Sequence, residues 1–180
     1  MALPWLVPDW PVPAHVRAVC TTREGGVSQG RYASFNLGDH VGDDPAHVAA
    51  NRARLREAIG ARPVFLQQVH GTGVVSLDAP GVAGGTAADA CTATEPGTAC
   101  TIMVADCLPV LFCDTAGHRV AAAHAGWRGL AGGVLEQAFR SFEDEARTGG
   151  DVIAWLGPCI GPSAFELSLI HISEPTRLLS

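Results

Sequence analysis

The sequence predicts an α+β layered domain, and three observations carry that expectation. Strand-like and helix-like stretches are interleaved without the regular βαβ alternation of a doubly wound sheet. No Gly-x-Gly-x-x-Gly follows a strand, which removes the dinucleotide-binding fingerprint. With 180 residues, 47% hydrophobic and only 17% charged, the chain can bury one core and is short for two.

The elements follow in order. Val16 to Arg23 is β-prone and runs into Arg23-Glu24-Gly25-Gly26, a strand opening into a loop. Gly25 to Asp44 reads as one long irregular segment, and loops of that length in compact domains are usually functional or mobile, so its Ser34-to-His40 stretch is a candidate site wall. Asp43-Asp44-Pro45 supplies an N-cap and a first-turn proline, Val48, Leu55 and Ile59 share a face, and Gly60 closes the helix. Val64 to His70 and Val74 to Leu77 read as strands around the Gly71-Thr72-Gly73 turn, with His70 at a strand end. Thr101 to Ala105, Leu108 to Cys113 and Arg119 to Ala123 read as further strands, the last meeting His124-Ala125-Gly126 and a new helix. On that helix Leu130, Val134, Leu135, Ala138, Phe139 and Phe142 form a broad apolar stripe that would cover a sheet. Asp151 to Gly157 is one more buried strand, opening into Gly157-Pro158-Cys159-Ile160-Gly161-Pro162.

Composition excludes several functions. A net charge of -6 lacks the concentrated basic surface that nucleic-acid binding needs. All twelve basic residues are Arg, so a Walker-type phosphate loop and a Schiff-base lysine are both ruled out. No apolar run is long enough to span a bilayer, and the first residues lack the basic and apolar regions of a secretory signal, so a cytoplasmic protein is expected. The six cysteines include no Cys-x-x-Cys pair and read as reduced thiols rather than a disulfide framework.

Three residues with side chains suited to a borderline metal stand at the ends of buried-looking segments: His70, Cys107 and His124. Two imidazoles and a thiolate match a catalytic zinc site in which a fourth position stays open. Each taken alone reads more readily as a packed core cysteine or a hydrogen-bonded strand-end histidine. Asp106 beside Cys107 could order a ligand or water, and Arg128, just after His124, could hold an anion.

Nine blocks of the chain now resemble one known family. Thr21-Thr22-Arg23, Gly25-Gly26-Val27-Ser28, Ser34-Phe35-Asn36-Leu37-Gly38, His40-Val41-Gly42-Asp43 and Asn51-Arg52 look like its N-terminal signature. Gln68-Val69-His70-Gly71, Ala105-Asp106-Cys107-Leu108-Pro109, His124-Ala125-Gly126-Trp127-Arg128-Gly129 and the Gly157-to-Pro162 loop resemble the remaining blocks in the right order. The family is that of the zinc-dependent purine nucleoside phosphorylases, also named multicopper polyphenol oxidases (laccase-like) or peptidoglycan editing factors. The resemblance implies a layered α/β/β/α sandwich with mixed sheets, and His70, Cys107 and His124 as the metal-binding catalytic triplet. It implies phosphorolysis of adenosine, inosine and 5'-methylthioadenosine, with deamination of adenosine as a second activity. Nucleoside and phosphate are then the partners. Phosphate would fall to Arg23, Arg52 or Arg128, and Asn36 and His40 could contact nucleoside, although turn stabilisation is the commoner use of such residues.

Rival readings use the same residues. Cys107 as nucleophile with His124 as base would make a cysteine amidase acting in peptidoglycan editing. Copper is possible in place of zinc, but a multicopper oxidase needs many imidazoles and the seven histidines here include no His-x-His pair. An inactive fragment is the third possibility, because Leu167 to Arg177 resembles the translated adapter of a sequencing library. On that reading residues 1–166 are a single domain lacking its C-terminal part, 167–180 are an artefact tail, and His171 belongs to no site. A sheet missing its last strands would expose an edge and apolar surface, so poor solubility is expected of such a chain.

Overall fold

The computed structural model describes residues 4–143 and 150–167. Within them, strands form two sheets and helices cover both outer faces. After an isolated bridge between Leu6 and Cys20 and a 3-10 turn at Gly30–Tyr32, the order is α1 (Pro45–Ile59), β1 (Arg62–Phe65), β2 (Val74–Ser76), β3 (Ala90–Ala93) and β4 (Thr98–Thr101). It continues with β5 (Leu108–Asp114), β6 (Val120–Ala125), α2 (Trp127–Gly132), α3 (Val134–Arg140) and β7 (Val152–Leu156). Strands β1 and β4 pair in parallel as a two-stranded sheet. The larger sheet runs β2-β3-β6-β5-β7, parallel between β2 and β3 and antiparallel elsewhere.

Side-chain alternation along the strands builds the layers. Ala121, Ala123 and Ala125 of β6, with Val110 and Phe112 of β5, face Val134, Ala138 and Phe142 around α3. The intervening Ala122 and Leu111, with Cys91 and Ala93 of β3, face Val64 and Cys100 of the small sheet and Leu66 just after β1. Phe65 points to the other side of that sheet and packs with Leu55 of α1 and Phe35. The order is therefore α1, small sheet, large sheet, then α2 with α3: an α+β fold of four layers. The small residues of β3 and β6 let the layers approach closely.

Helix α1 begins and ends as its residues require: the Asp44 side chain accepts from Ala46 N–H, Pro45 opens the first turn, and Gly60 caps the end at φ 64°. Several expectations need correction. Val16 to Arg23 forms no strand beyond the Cys20 bridge, because among the described residues Leu6 alone exchanges ladder bonds with it. The first of the two strands expected around Gly71 ends at Phe65, and it joins a different sheet from β2, so the two are not a hairpin. Strand β4 ends at Thr101 rather than covering 101–105. The expected single helix after Gly126 is two helices, broken where Gly133 adopts φ 93°, a conformation glycine enters without steric cost. The break turns Leu130 and Phe139 outward, and both are nearly half exposed. Strand β7 is an edge strand with Leu156 61% exposed, not the buried strand expected. Residues 168–180, nearly all of the stretch that resembles adapter sequence, lie outside the described residues.

Candidate metal centre

Strand register brings the triplet together. His124 sits on β6 opposite Pro109, the second residue of β5, so Cys107, just before β5, falls beside the β6 end and Gly126. Across the other edge of β6, Ala123 opposes Ala90, which sets Asp89 against His124; His124 N–H donates to the Asp89 carbonyl at 2.7 Å. Strand β2 pairs with β3 from Val74 against Ala90, which lays the preceding 69–73 loop over Asp89. His70 arrives in that loop at φ 58°, the left-handed region that side-chain-bearing residues seldom occupy. The Gly157-to-Pro162 loop lies along the Cys107 segment: Gly157 N–H donates to the Pro109 carbonyl and Ile160 N–H to that of Asp106.

The outcome is that one ligand atom from each of His70, Cys107 and His124 lies within 4.8 Å of the others. Cys107 Sγ is 4.0 Å from His70 Nε2, and the two imidazoles meet edge to face with centroids 4.7 Å apart. His124 is buried, Cys107 half-buried and His70 exposed, so the triplet is open on one side. Its donor set suits zinc or copper, and bonds of about 2.0–2.3 Å would ask the three atoms to close by only about an ångström. Gly126 supplies the room: a Cβ there would stand 2.8 Å from His70 Cδ2 and 3.1 Å from Cys107 Sγ.

Electrostatics fit the same use. Burial lowers the His70 pKa, and the charges of His124 and Arg128 act in the same sense against that of Asp89. The neutral imidazole that results is the ligating form. Burial raises the Cys107 thiol above its ordinary range, and the Asp106 and Asp89 carboxylates add to it. A cation is what such a thiol needs in order to lose its proton near neutrality.

The other sequence candidates have different surroundings. Arg23 donates from Nε and NH2 to the Ala33 carbonyl at 2.8 and 2.6 Å. Arg52 donates to the Leu37 carbonyl, pairs with Asp39 at 3.2 Å, reaches Met103 Sδ and lies over the Phe65 ring. Asn36 bonds Gly38 and Asp43 within its own turn, and His40 is an exposed neighbour of Asp39. Arg128 stacks on Trp127 at 4.4 Å, and its guanidinium makes no hydrogen bond or ion pair among the described residues. Gln68 faces neither site nor solvent as a free group: its amide clamps both backbone groups of Met103. Cys159 is exposed, because its loop stands on the surface. Sequence reasoning passed over two residues. Asp89 is the only charged residue between Asp78 and Glu95, which was its one visible signal, and Gly126 was quoted only as part of a turn.

Residues 17–174 match the family described as multi-copper polyphenol oxidoreductase laccase. The chain is 58% identical over 163 residues to a purine nucleoside phosphorylase of Pseudomonas aeruginosa, covering 91% of this chain and 65% of that protein. It is 52% identical over 164 residues to the purine nucleoside phosphorylase YfiH of Escherichia coli, covering 90% of this chain and 66% of that one. The chain thus spans slightly less than two thirds of the length of these relatives. The crystal structure of Neisseria meningitidis protein NMB0706 superposes with a TM-score of 0.84 at 48% identity, covering 93% of this chain and 68% of that one. That of YlmD from Geobacillus stearothermophilus gives 0.82 at 34% identity, covering 92% and 66%.

Proposed function

Because the chain belongs to the multi-copper polyphenol oxidoreductase laccase family, with relatives named purine nucleoside phosphorylase, we propose that it carries the centre of a zinc-dependent purine nucleoside phosphorylase. The observation that carries the reading is the closure of His70, Cys107 and His124 around an open side. In the proposed reaction the bond between purine N9 and ribose C1' breaks and its electron pair leaves with the base. A phosphate oxygen forms the new bond to C1', and the base takes up one proton, giving free purine and ribose 1-phosphate. Adenosine, inosine and 5'-methylthioadenosine are the substrates. Hydrolysis of adenosine to inosine and ammonia is the second activity, and the cytoplasm is the compartment, in keeping with six free thiols.

His70, Cys107 and His124 would hold the zinc, which would supply a Lewis acid there. Around it the protein's own groups divide the work. His124 gives the fixed, buried wall and His70 the solvent-facing rim. Arg128 holds phosphate: Arg23 and Arg52 are occupied by protein acceptors, while the Arg128 guanidinium is free among the described residues and its charge reaches His70. Stacking on Trp127 presents its fork without using its donors.

The cysteine-amidase reading finds less support, since among the described residues no hydrogen bond joins Cys107 to His124, the base it would need, and its sulfur stands 4.0 Å from His70 Nε2 instead. A blue-copper reading wants a weak axial methionine, and Met103 turns its sulfur to Arg52. The test is product analysis of zinc-loaded protein given adenosine with and without phosphate. Adenine appearing only with phosphate is expected; no adenine under either condition contradicts the phosphorylase reading. Arg128→Ala should raise the phosphate KM about 10- to 100-fold, the value of a lost charge-assisted hydrogen bond, with little change in nucleoside KM. An unchanged phosphate KM would remove Arg128 from that role.

A further inference from the structure

Asp89 is fully buried, and every hydrogen bond its carboxylate makes among the described residues comes from a donor. Val69 N–H and Gly71 N–H reach Oδ2 at 3.1 and 2.7 Å; His70 N–H and His124 Nδ1 reach Oδ1 at 2.9 and 2.8 Å. Three consecutive backbone N–H groups converging on one carboxylate form an anion nest, here filled by the protein itself. Burying an acid without such partners is costly, and these four donors offset that cost.

The same four bonds constrain both imidazoles at once. A carboxylate can only accept from His124 Nδ1, so in the neutral ring that nitrogen carries the proton and Nε2 is the nitrogen left to offer the triplet a lone pair. The nest holds residues 69–71 in the turn that gives His70 its positive φ and aims its Nε2 toward Cys107. We propose that Asp89 is the positioning residue of the centre, fixing the His124 tautomer and the His70 loop through one carboxylate. The inference deepens the metal-centre reading, but its tautomer half stands without a metal.

Asparagine at this position is the informative change. Whichever way its amide turns, the NH2 group meets donors: Val69 and Gly71 N–H on one side, or His70 N–H and His124 Nδ1 on the other. The second orientation keeps a bond to His124 only if the proton moves from Nδ1 to Nε2, which removes the lone pair from the triplet.

Two measurements test this. Long-range nitrogen-proton NMR on the metal-free wild type at neutral pH reads the tautomer directly: protonation at Nδ1 of His124 is expected, and protonation at Nε2 would overturn the proposal. Zinc affinity of Asp89→Asn, measured by competition with a chromogenic chelator, should fall about 10- to 100-fold, the usual loss when a ligand's hydrogen-bond partner is removed. A merely structural role would lower the Tm and leave tautomer and affinity alone. Folded Asp89→Asn that binds zinc within about threefold of wild type would overturn the proposal. Wild type that binds no zinc, yet shows the expected tautomer, would sink the metal reading and leave the positioning role intact.

Discussion

Gly126→Ala is expected to cost zinc affinity about 100-fold or more, beyond the usual effect of losing a second-layer contact, while the sheet stays folded. The backbone at Gly126 is extended, with φ -64° and ψ 156°, so alanine brings no conformational strain. Space is what it lacks. Its methyl group would press on His70 Cδ2 at 2.8 Å and on Cys107 Sγ at 3.1 Å, and would meet His124 Cε1 in ordinary contact at 3.6 Å. His70 is the exposed member and has somewhere to go, so relief of the clash carries a ligand out of the triplet. The Tm should move by no more than about 2–4 °C, the equivalent of about 1 kcal/mol in a domain of this size. Zinc titration and thermal unfolding of one preparation separate the two effects. Wild-type affinity in the alanine variant would show that the triplet is not the binding geometry.

The largest stability effect is expected at Asn51. It is fully buried on α1, and its amide accepts from Val27 N–H at 2.9 Å and donates toward Ser28 Oγ, the Ser34 carbonyl and the Asn36 carbonyl at 2.9 to 3.1 Å. One side chain therefore fastens three points of the long irregular segment to the helix. Asn51→Ala takes this partner from Val27 N–H, Ser28 Oγ and the Asn36 carbonyl, while the Ser34 carbonyl keeps Ser28 N–H; at about 1–3 kcal/mol for each group that water cannot reach, a loss of about 3 kcal/mol follows. That corresponds to a Tm lower by roughly 6–12 °C, with early proteolysis between residues 25 and 44. A shift below about 2 °C would mean that other contacts hold the segment.

What the sequence disclosed divides along local and non-local lines. Helix α1 was legible to the residue, because Asp44, Pro45 and Gly60 are local signals that act through their own turn. Strands β5, β6 and β7 were legible as apolar runs between turns. Strand β3 was not: Ala90-Cys91-Thr92-Ala93 is low in branched and aromatic residues, and it becomes a strand because β2 and β6 flank it. The triplet was legible from three motifs, yet its closure depends on register. His124 meets Asp89 only because β3 pairs with β6, and Cys107 only because β5 pairs on the other side. Arg52 shows the converse. Its residue type fits phosphate, but α1 places it over Phe65 with Leu37 and Asp39 in reach, and such occupation leaves no trace in sequence.

Metal content of the purified wild type and of Cys107→Ser, measured by mass spectrometry on folded protein, tests the central claim most directly. The account predicts close to one zinc per wild-type chain and a loss of nearly all of it in Cys107→Ser, since serine replaces the thiolate with a poorer donor for this ion. Folded wild type without metal, or equal zinc in both proteins, would contradict it.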